Sequence, residues 1–280
     1  MLQCVFYFIL RATMCENAKQ KDMTKLMGHI IAGYPNMESS LYAALGISLA
    51  GASYLEVQFP FSDPNADGVV IEEACDKSIA EGFTLSAGFE LLSTLSNRLS
   101  QLQDSPTKLI IVTYANLIFH SGMEKFIKEA KKCGVFGILV PDLPIESDEN
   151  LRTLAKKHHI AIICLITPKT PIARMKKIAK VSDEIVYVVA RSGITGDKTE
   201  LDQAFFRYLA DVKKHCKKPI ALGFGINSHA QVASLEGKVD IVVAGSYFVR
   251  FISELSIQNL APQSYQDQLT TYAKSLMGWD

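Results

Sequence analysis

The feature that most constrains this chain is a recurrence of short apolar runs rich in β-branched residues. They are Ile30 to Ala32, Tyr54 to Phe59, Leu109 to Thr113, Gly137 to Val140, Ala161 to Ile166, Ile185 to Val189, Ile220 to Leu222 and Ile241 to Val243. Helical patterns separate most of them, and continuous apolar strands so spaced suggest a parallel sheet buried on both faces. A chain of 280 residues suits a single (β/α)8 TIM barrel, which typically takes roughly 250. No linker or composition shift divides the sequence. The expectation is an α/β fold with one barrel domain over residues 27–280, preceded by an irregular extension or helix over 1–26.

The helical segments carry their own signals. Met123, Phe126, Ile127 and Ala130 follow the i, i+3, i+4, i+7 spacing of one apolar face, with Lys125, Lys128 and Lys132 on the wet side. Thr170 before Pro171 predicts a helix start with Ile172, Met175 and Ala179 as its buried stripe. Ser228 and Gln231 predict a capping box opening a later helix. Two longer connections follow strands: Pro60 to Gly68, and Arg191 to Glu200. In barrels of this type, chemistry sits on the loops at the strand C-terminal ends.

Composition narrows the function classes. The chain is 48% hydrophobic and 21% charged, as expected of a globular protein with a sizeable core. Its 29 basic and 29 acidic residues cancel, so no overall field attracts nucleic acid or an anionic membrane, and any anion site must be local. The six cysteines form no CxxC pair and no Cys/His cluster; no metal is expected, and a reduced, cytoplasmic setting is. No run approaches the roughly 20 apolar residues of a membrane helix. The apolar stretch Cys4 to Leu10 lacks the flanks of a signal peptide, and Met14 and Met23 are alternative starts.

Strand alternation places Tyr54, Glu56 and Gln58 on one face and Leu55, Val57 and Phe59 on the other. Glu56 therefore points either into the barrel or against the helices. A buried carboxylate is costly unless paired or used, and a lone strand glutamate is more often an ion-pair member than a catalyst. Asp67, taken alone, is an ordinary turn aspartate before Gly68. Gly225 ahead of Ser228, and Gly245-Ser246 after the last run, sit where such barrels place main-chain phosphate donors.

The run LEVxxPFSDPxADG, Leu55 to Gly68, resembles the signature of tryptophan synthase α subunits. Further matches follow in order: Ala32 to Pro35, Thr113 to Asn116, Gly137 to Pro144, Tyr187 with Arg191 to Gly196, Gly223 to Ile226, and Ala244 to Ser246. The resemblance implies retro-aldol cleavage of indole-3-glycerol phosphate to indole and glyceraldehyde 3-phosphate, with no cofactor in this chain. It implies Glu56 as general acid/base and Asp67 as the carboxylate that bonds the indole N–H. Gly196, Gly225, Gly245 and Ser246 would hold the phosphate. Tyr114, Leu139, Leu165 and Phe224 match the indole pocket, and Tyr187 and Thr195 match positions that orient the acid and close the loop. Asn116 and Asp142 resemble positions facing a β subunit, in which pyridoxal phosphate condenses indole with serine in an α2β2 assembly.

Several positions depart from that pattern. Gln58 stands where glycine is normal, on the same face as Glu56, and can fill substrate space. Val69, Glu72, Leu117 and His29 replace the usual proline, glutamine, proline and phenylalanine. Two readings thus stand: a working carbon–carbon lyase, or an impaired α subunit that mainly activates its β partner. A sugar-phosphate isomerase is a more distant third, and the PFSDPxADG loop argues against it.

Overall fold

The computed structural model describes residues 24–102, 107–190, 202–223 and 225–279. Eight parallel strands close into a barrel in chain order. They are β1 (Lys25–Ile31), β2 (Tyr54–Gln58), β3 (Lys108–Val112), β4 (Gly137–Leu139), β5 (Ala161–Ile166), β6 (Val186–Val189), β7 (Ile220–Gly223) and β8 (Ile241–Ala244). Around them run α1 (Met37–Leu49), α2 (Val69–Ala80), α3 (Leu85–Ser100), α4 (Ala115–Ser121), α5 (Met123–Lys132) and α6 (Leu151–Lys157). The ring continues with α7 (Ile172–Val181), α8 (Gln203–His215), α9 (His229–Leu235), α10 (Ser246–Ser256) and α11 (Pro262–Met277). Among the described residues no helix is long and apolar enough to cross a membrane. Residues 1–23 of the expected extension, and the connection from Arg191 to Glu200, lie outside the described residues.

All eight expected runs are strands, but the first is displaced. β1 begins at Lys25, inside the segment expected to be an extension, and ends at Ile31. Gly28 and His29 break the apolar run in sequence, yet tertiary contacts explain both. A Cβ on Gly28 would lie 2.3 Å from Ile47 Cγ2, so its bareness lets α1 press onto the strand. His29 pairs across β1 and β2 with Glu56, its register partner.

Period-two alternation divides the core in two. Leu55, Val57, Ile111 and Ile138 point outward into the layer between strands and helices. Met27, Tyr54, Ile110, Ile163, Ile185 and Ile241 belong to a separate cluster filling the barrel interior. β2 therefore lifts Glu56 and Gln58 above the apolar ring of Tyr54, toward its C-terminal end.

The helix α5 is built as its spacing predicts, burying Phe126, Ile127 and Ala130. The start of α7 differs from expectation. Thr170 Oγ1 accepts from Thr167 N within the preceding turn instead of capping α7, and Pro171 stands at the cap. The buried pair is Met175 and Ile178, while Ile172 is 47% exposed and Ala179 only partly covered. The expected α9 capping box does not form: Gln231 Oε1 accepts from Asn227 N, one residue before the cap, and the Ser228 side chain makes no cap bond.

Closure of the shell depends on α1 against α11. A Cβ on Gly46 would come 2.4 Å from the Gln266 carbonyl oxygen and 2.8 Å from Leu269 Cβ. Alanine in mid-helix gains about 1 kcal/mol of propensity over glycine, but overpacking against an unyielding backbone costs about 3 kcal/mol. Gly46→Ala is therefore expected to destabilise the fold by about 2 kcal/mol. An unchanged denaturant midpoint would show that the α1–α11 contact yields.

Candidate active site

Glu56 points into the barrel, resolving the choice that alternation left open. It is 3% exposed, and His29 Nδ1 lies 2.9 Å from its Oε2. The other oxygen, Oε1, has no hydrogen bond to the described residues, and Glu56 lines a cavity of about 120 Å³ at the C-terminal mouth. Asp67 lines the same cavity from the loop between β2 and α2. The loop brings it there by an internal turn in which Asp67 N donates to the Pro64 carbonyl at 2.8 Å.

The Asp67 carboxylate is clamped through one oxygen. Gln58 Nε2 donates to Oδ2 at 2.8 Å, and the Tyr114 hydroxyl donates to the same atom at 2.9 Å. Tyr114 also accepts from Ala66 N at 3.0 Å, and its ring stacks on Phe61 at 5.2 Å. Tyr114 was expected in the indole pocket, but it does not line the cavity. It is 1% exposed and secures the acid and its loop from behind. The reason is its phenol, which needs a partner when buried. Gln58 lines the same cavity, as its place on the Glu56 face implies; it is fully buried and donates to Asp67 and, at 3.6 Å, to Cys75 Sγ.

Burial raises the Asp67 carboxyl above its ordinary value, opposed by the bonds from Gln58 and Tyr114. The sign of the stability effect follows. A raised native pKa gives a contribution that is full below the ordinary value of 3.8 and lost as pH climbs through the native value. Asp67→Asn removes that loss, so its unfolding midpoint should exceed wild type at neutral pH, with the gap closing below about pH 3.8. A gap that does not vary with pH contradicts this. Burial also pushes the Cys75 thiol up to about 12, leaving it a weak hydrogen-bond partner and no nucleophile at neutral pH.

The rest of the wall comes from other strands. Leu139 and Leu165 line the cavity as expected, with Val112 and Val243 beside them. Tyr187 reaches in from β6, and Gly223 makes room for it: a Cβ there would lie 2.5 Å from the phenol oxygen. Burial, then the fields of Glu56 and Asp67, hold this phenol well above its usual range and hence neutral. No hydrogen bond joins Tyr187 to Glu56 among the described residues; His29 is the acid's recorded partner.

Gly225, Gly245 and Ser246 line the same cavity as the two acids. Ser246 opens α10; Phe248 N already donates to the Gly245 carbonyl at 3.1 Å, which leaves the amides of Ser246 and Tyr247 to favour an anion. A Cβ on Gly245 would meet nothing closer than His29 Cγ at 3.9 Å, so the space beside this turn is open. Gly196, Thr195 and Phe224 lie outside the described residues. Asn116 and Asp142 are both exposed, and Asp142 already has a structural task, accepting from Ala115 N at 3.0 Å. Among the described residues no cluster of His, Cys, Asp and Glu can hold a metal.

A larger groove of about 710 Å³ adjoins the inner hollow and shares Ala66, Pro141, Leu165 and Val189 with it. Ligand pockets usually measure about 300–1,000 Å³, so the inner cavity alone is small and the groove supplies the remaining room. Sequence reasoning overlooked His29 as the partner of Glu56. The signal was the inward alternation of Met27 and His29, hidden by starting the first strand at Ile30.

A closed barrel whose mouth brings two acids together with the glycine turns after its last two strands has the architecture of an acid–base barrel enzyme. Comparison with known proteins sharpens this. Residues 15–276 match the family model for the tryptophan synthase alpha chain. The tryptophan synthase alpha chain of Helicobacter hepaticus is 72% identical over 257 residues, covering 91% of this chain and 96% of that one. Its counterpart from Syntrophotalea carbinolica is 36% identical, covering 88% and 94%. A chain of the tryptophan synthase complex from Pyrococcus furiosus superposes with a TM-score of 0.80 at 30% identity, covering 91% and 98%. The chain belongs to the tryptophan synthase alpha-chain family, whose reaction is the lyase cleavage of indole-3-glycerol phosphate.

Proposed function

We propose that Glu56 and Asp67 carry out the family's retro-aldol cleavage in this chain. The observation that carries the assignment is their convergence on one cavity whose other wall is Gly225, Gly245 and Ser246. The reaction needs a proton delivered to indole C3, stabilisation of the positive charge that then develops on the ring nitrogen, and removal of the proton from the side-chain hydroxyl. The C3–carbinol bond breaks, its electron pair restores the indole ring, and the hydroxyl oxygen becomes the aldehyde. Protons balance, since one enters at C3 and one leaves the hydroxyl.

Glu56 Oε1 serves both transfers. The Oδ1 atom of Asp67 meets the indole N–H, because Oδ2 is already taken by Gln58 and Tyr114. Leu139 and Leu165 pack the ring, and the α10 amides with Gly225 and Gly196 receive the phosphate. Thr195 and Phe224 complete the loop and pocket. This reading gives the chain no cofactor of its own; pyridoxal phosphate belongs to a β partner that Asn116 and Asp142 face in an α2β2 assembly. A cytoplasmic setting accords with free, buried Cys75, Cys133, Cys164 and Cys216.

The test is indole release from indole-3-glycerol phosphate by the purified chain, alone and with its β partner. Stimulation of indole-plus-serine condensation without any cleavage overturns the lyase assignment in favour of an activator.

A further inference from the structure

We propose that His29 is a positioning residue for the cleavage reaction, fixing through its Nδ1 which oxygen of Glu56 carries the reacting proton. The proposal rests on the lyase reading above. His29 is 6% exposed on β1, lines the cavity, and sets Nδ1 2.9 Å from Glu56 Oε2. Its Nε2 is buried with no hydrogen-bond partner among the described residues. The hydrogen-bond network therefore assigns the tautomer. A proton on Nδ1 is used by the carboxylate, whereas a proton on Nε2 would be stranded.

With Nδ1–H donating, Oε2 remains an acceptor whether Glu56 is ionised or neutral. The carboxyl proton must then reside on Oε1, the oxygen free of hydrogen bonds to the described residues. This is the atom that delivers to C3 and later collects from the hydroxyl, so the imidazole keeps the reacting oxygen constant through both transfers. A phenylalanine at this position would leave the carboxyl free to rotate and to place its proton on either oxygen. The buried Nε2, without a partner among the described residues, is the cost of that arrangement. Such a cost inside a cavity beside the acid points to a role in the site and not in packing. The titratable groups around the pair are Asp67 from the β2–α2 loop and Tyr187 from β6, with Cys75 of α2 beyond Gln58.

Three variants separate this role from a structural one. Asparagine carries its amide near the place of Nδ1 and glutamine near that of Nε2, while phenylalanine keeps the ring without a donor. Misalignment of a catalytic group costs up to about 100-fold. For indole-3-glycerol phosphate cleavage, His29→Phe and His29→Gln should lower kcat about 10- to 100-fold with KM little changed. His29→Asn should recover most of kcat. Stimulation of the β partner's indole-plus-serine condensation reports that each variant is folded. Should the Phe variant fail to fold, the Asn–Gln contrast decides alone. Equal kcat in all folded variants, or an Asn variant as poor as Gln, overturns the proposal. Absence of cleavage in wild type overturns the lyase reading itself, a result distinct from either.

Discussion

Glu56→Gln is expected to lower kcat for indole-3-glycerol phosphate cleavage by about 10²- to 10⁴-fold, the usual contribution of a positioned acid or base. Glutamine has nearly the same shape, and its amide oxygen can still accept from His29 Nδ1, so the contact between β1 and β2 survives. What disappears is the capacity of Oε1 to give and take a proton. The loss should fall in kcat, because the proposed phosphate contacts at Gly225, Gly245 and Ser246 are untouched. Single-turnover indole release measures it directly. A Glu56→Gln protein that keeps the cleavage rate would remove the central acid from the mechanism.

The second large effect is expected at the phosphate end. Gly245 has a negative φ, −83°, and open space where a side chain would stand, so a substituted side chain meets no clash there. Gly245→Asp places a carboxylate at the mouth of the α10 amides. Two like charges about 4 Å apart near a protein surface repel by about 4 kcal/mol, so KM should rise by at least about 100-fold. The kcat at saturation should change little, since the acids stand on β2 and its following loop. Steady-state kinetics with the intact substrate checks this. A Gly245→Asp variant with wild-type KM would place the phosphate elsewhere.

These two predictions draw on residues of different legibility. Glu56 and Asp67 were readable because a long motif fixes their spacing, and the β2 alternation placed Glu56 and Gln58 together on one face. Gly225 and Gly245 drew notice because two glycine turns after the last two strands fall where such barrels place main-chain phosphate donors, although a single such glycine is usually geometric. His29 was read only as a departure from the pattern, and Tyr114 was expected in the pocket, where it does not line the cavity. His29 sat next to an apparent break in the first apolar run, and its pairing depends on the register between β1 and β2, which sequence spacing does not encode. Tyr114 lies in the expected segment, but its hydroxyl turns toward Asp67 and Ala66, away from the cavity. The same limit applies to helix starts: Thr170 and Ser228 are suitable capping residues whose side chains found other partners or none.

The sequence by itself determined the fold class, the number of strands, the family, and which residues share a strand face. These follow from local periodicity and from contiguous motifs, both of which are properties of neighbours in the chain. Only the tertiary structure decided that the face bearing Glu56 lies inside the barrel, that Gln58 and Tyr114 grip one oxygen of Asp67, and that His29 takes one oxygen of Glu56. Each of these depends on strand register and ring closure, through which residues 27 and 47 positions apart come within hydrogen-bonding distance.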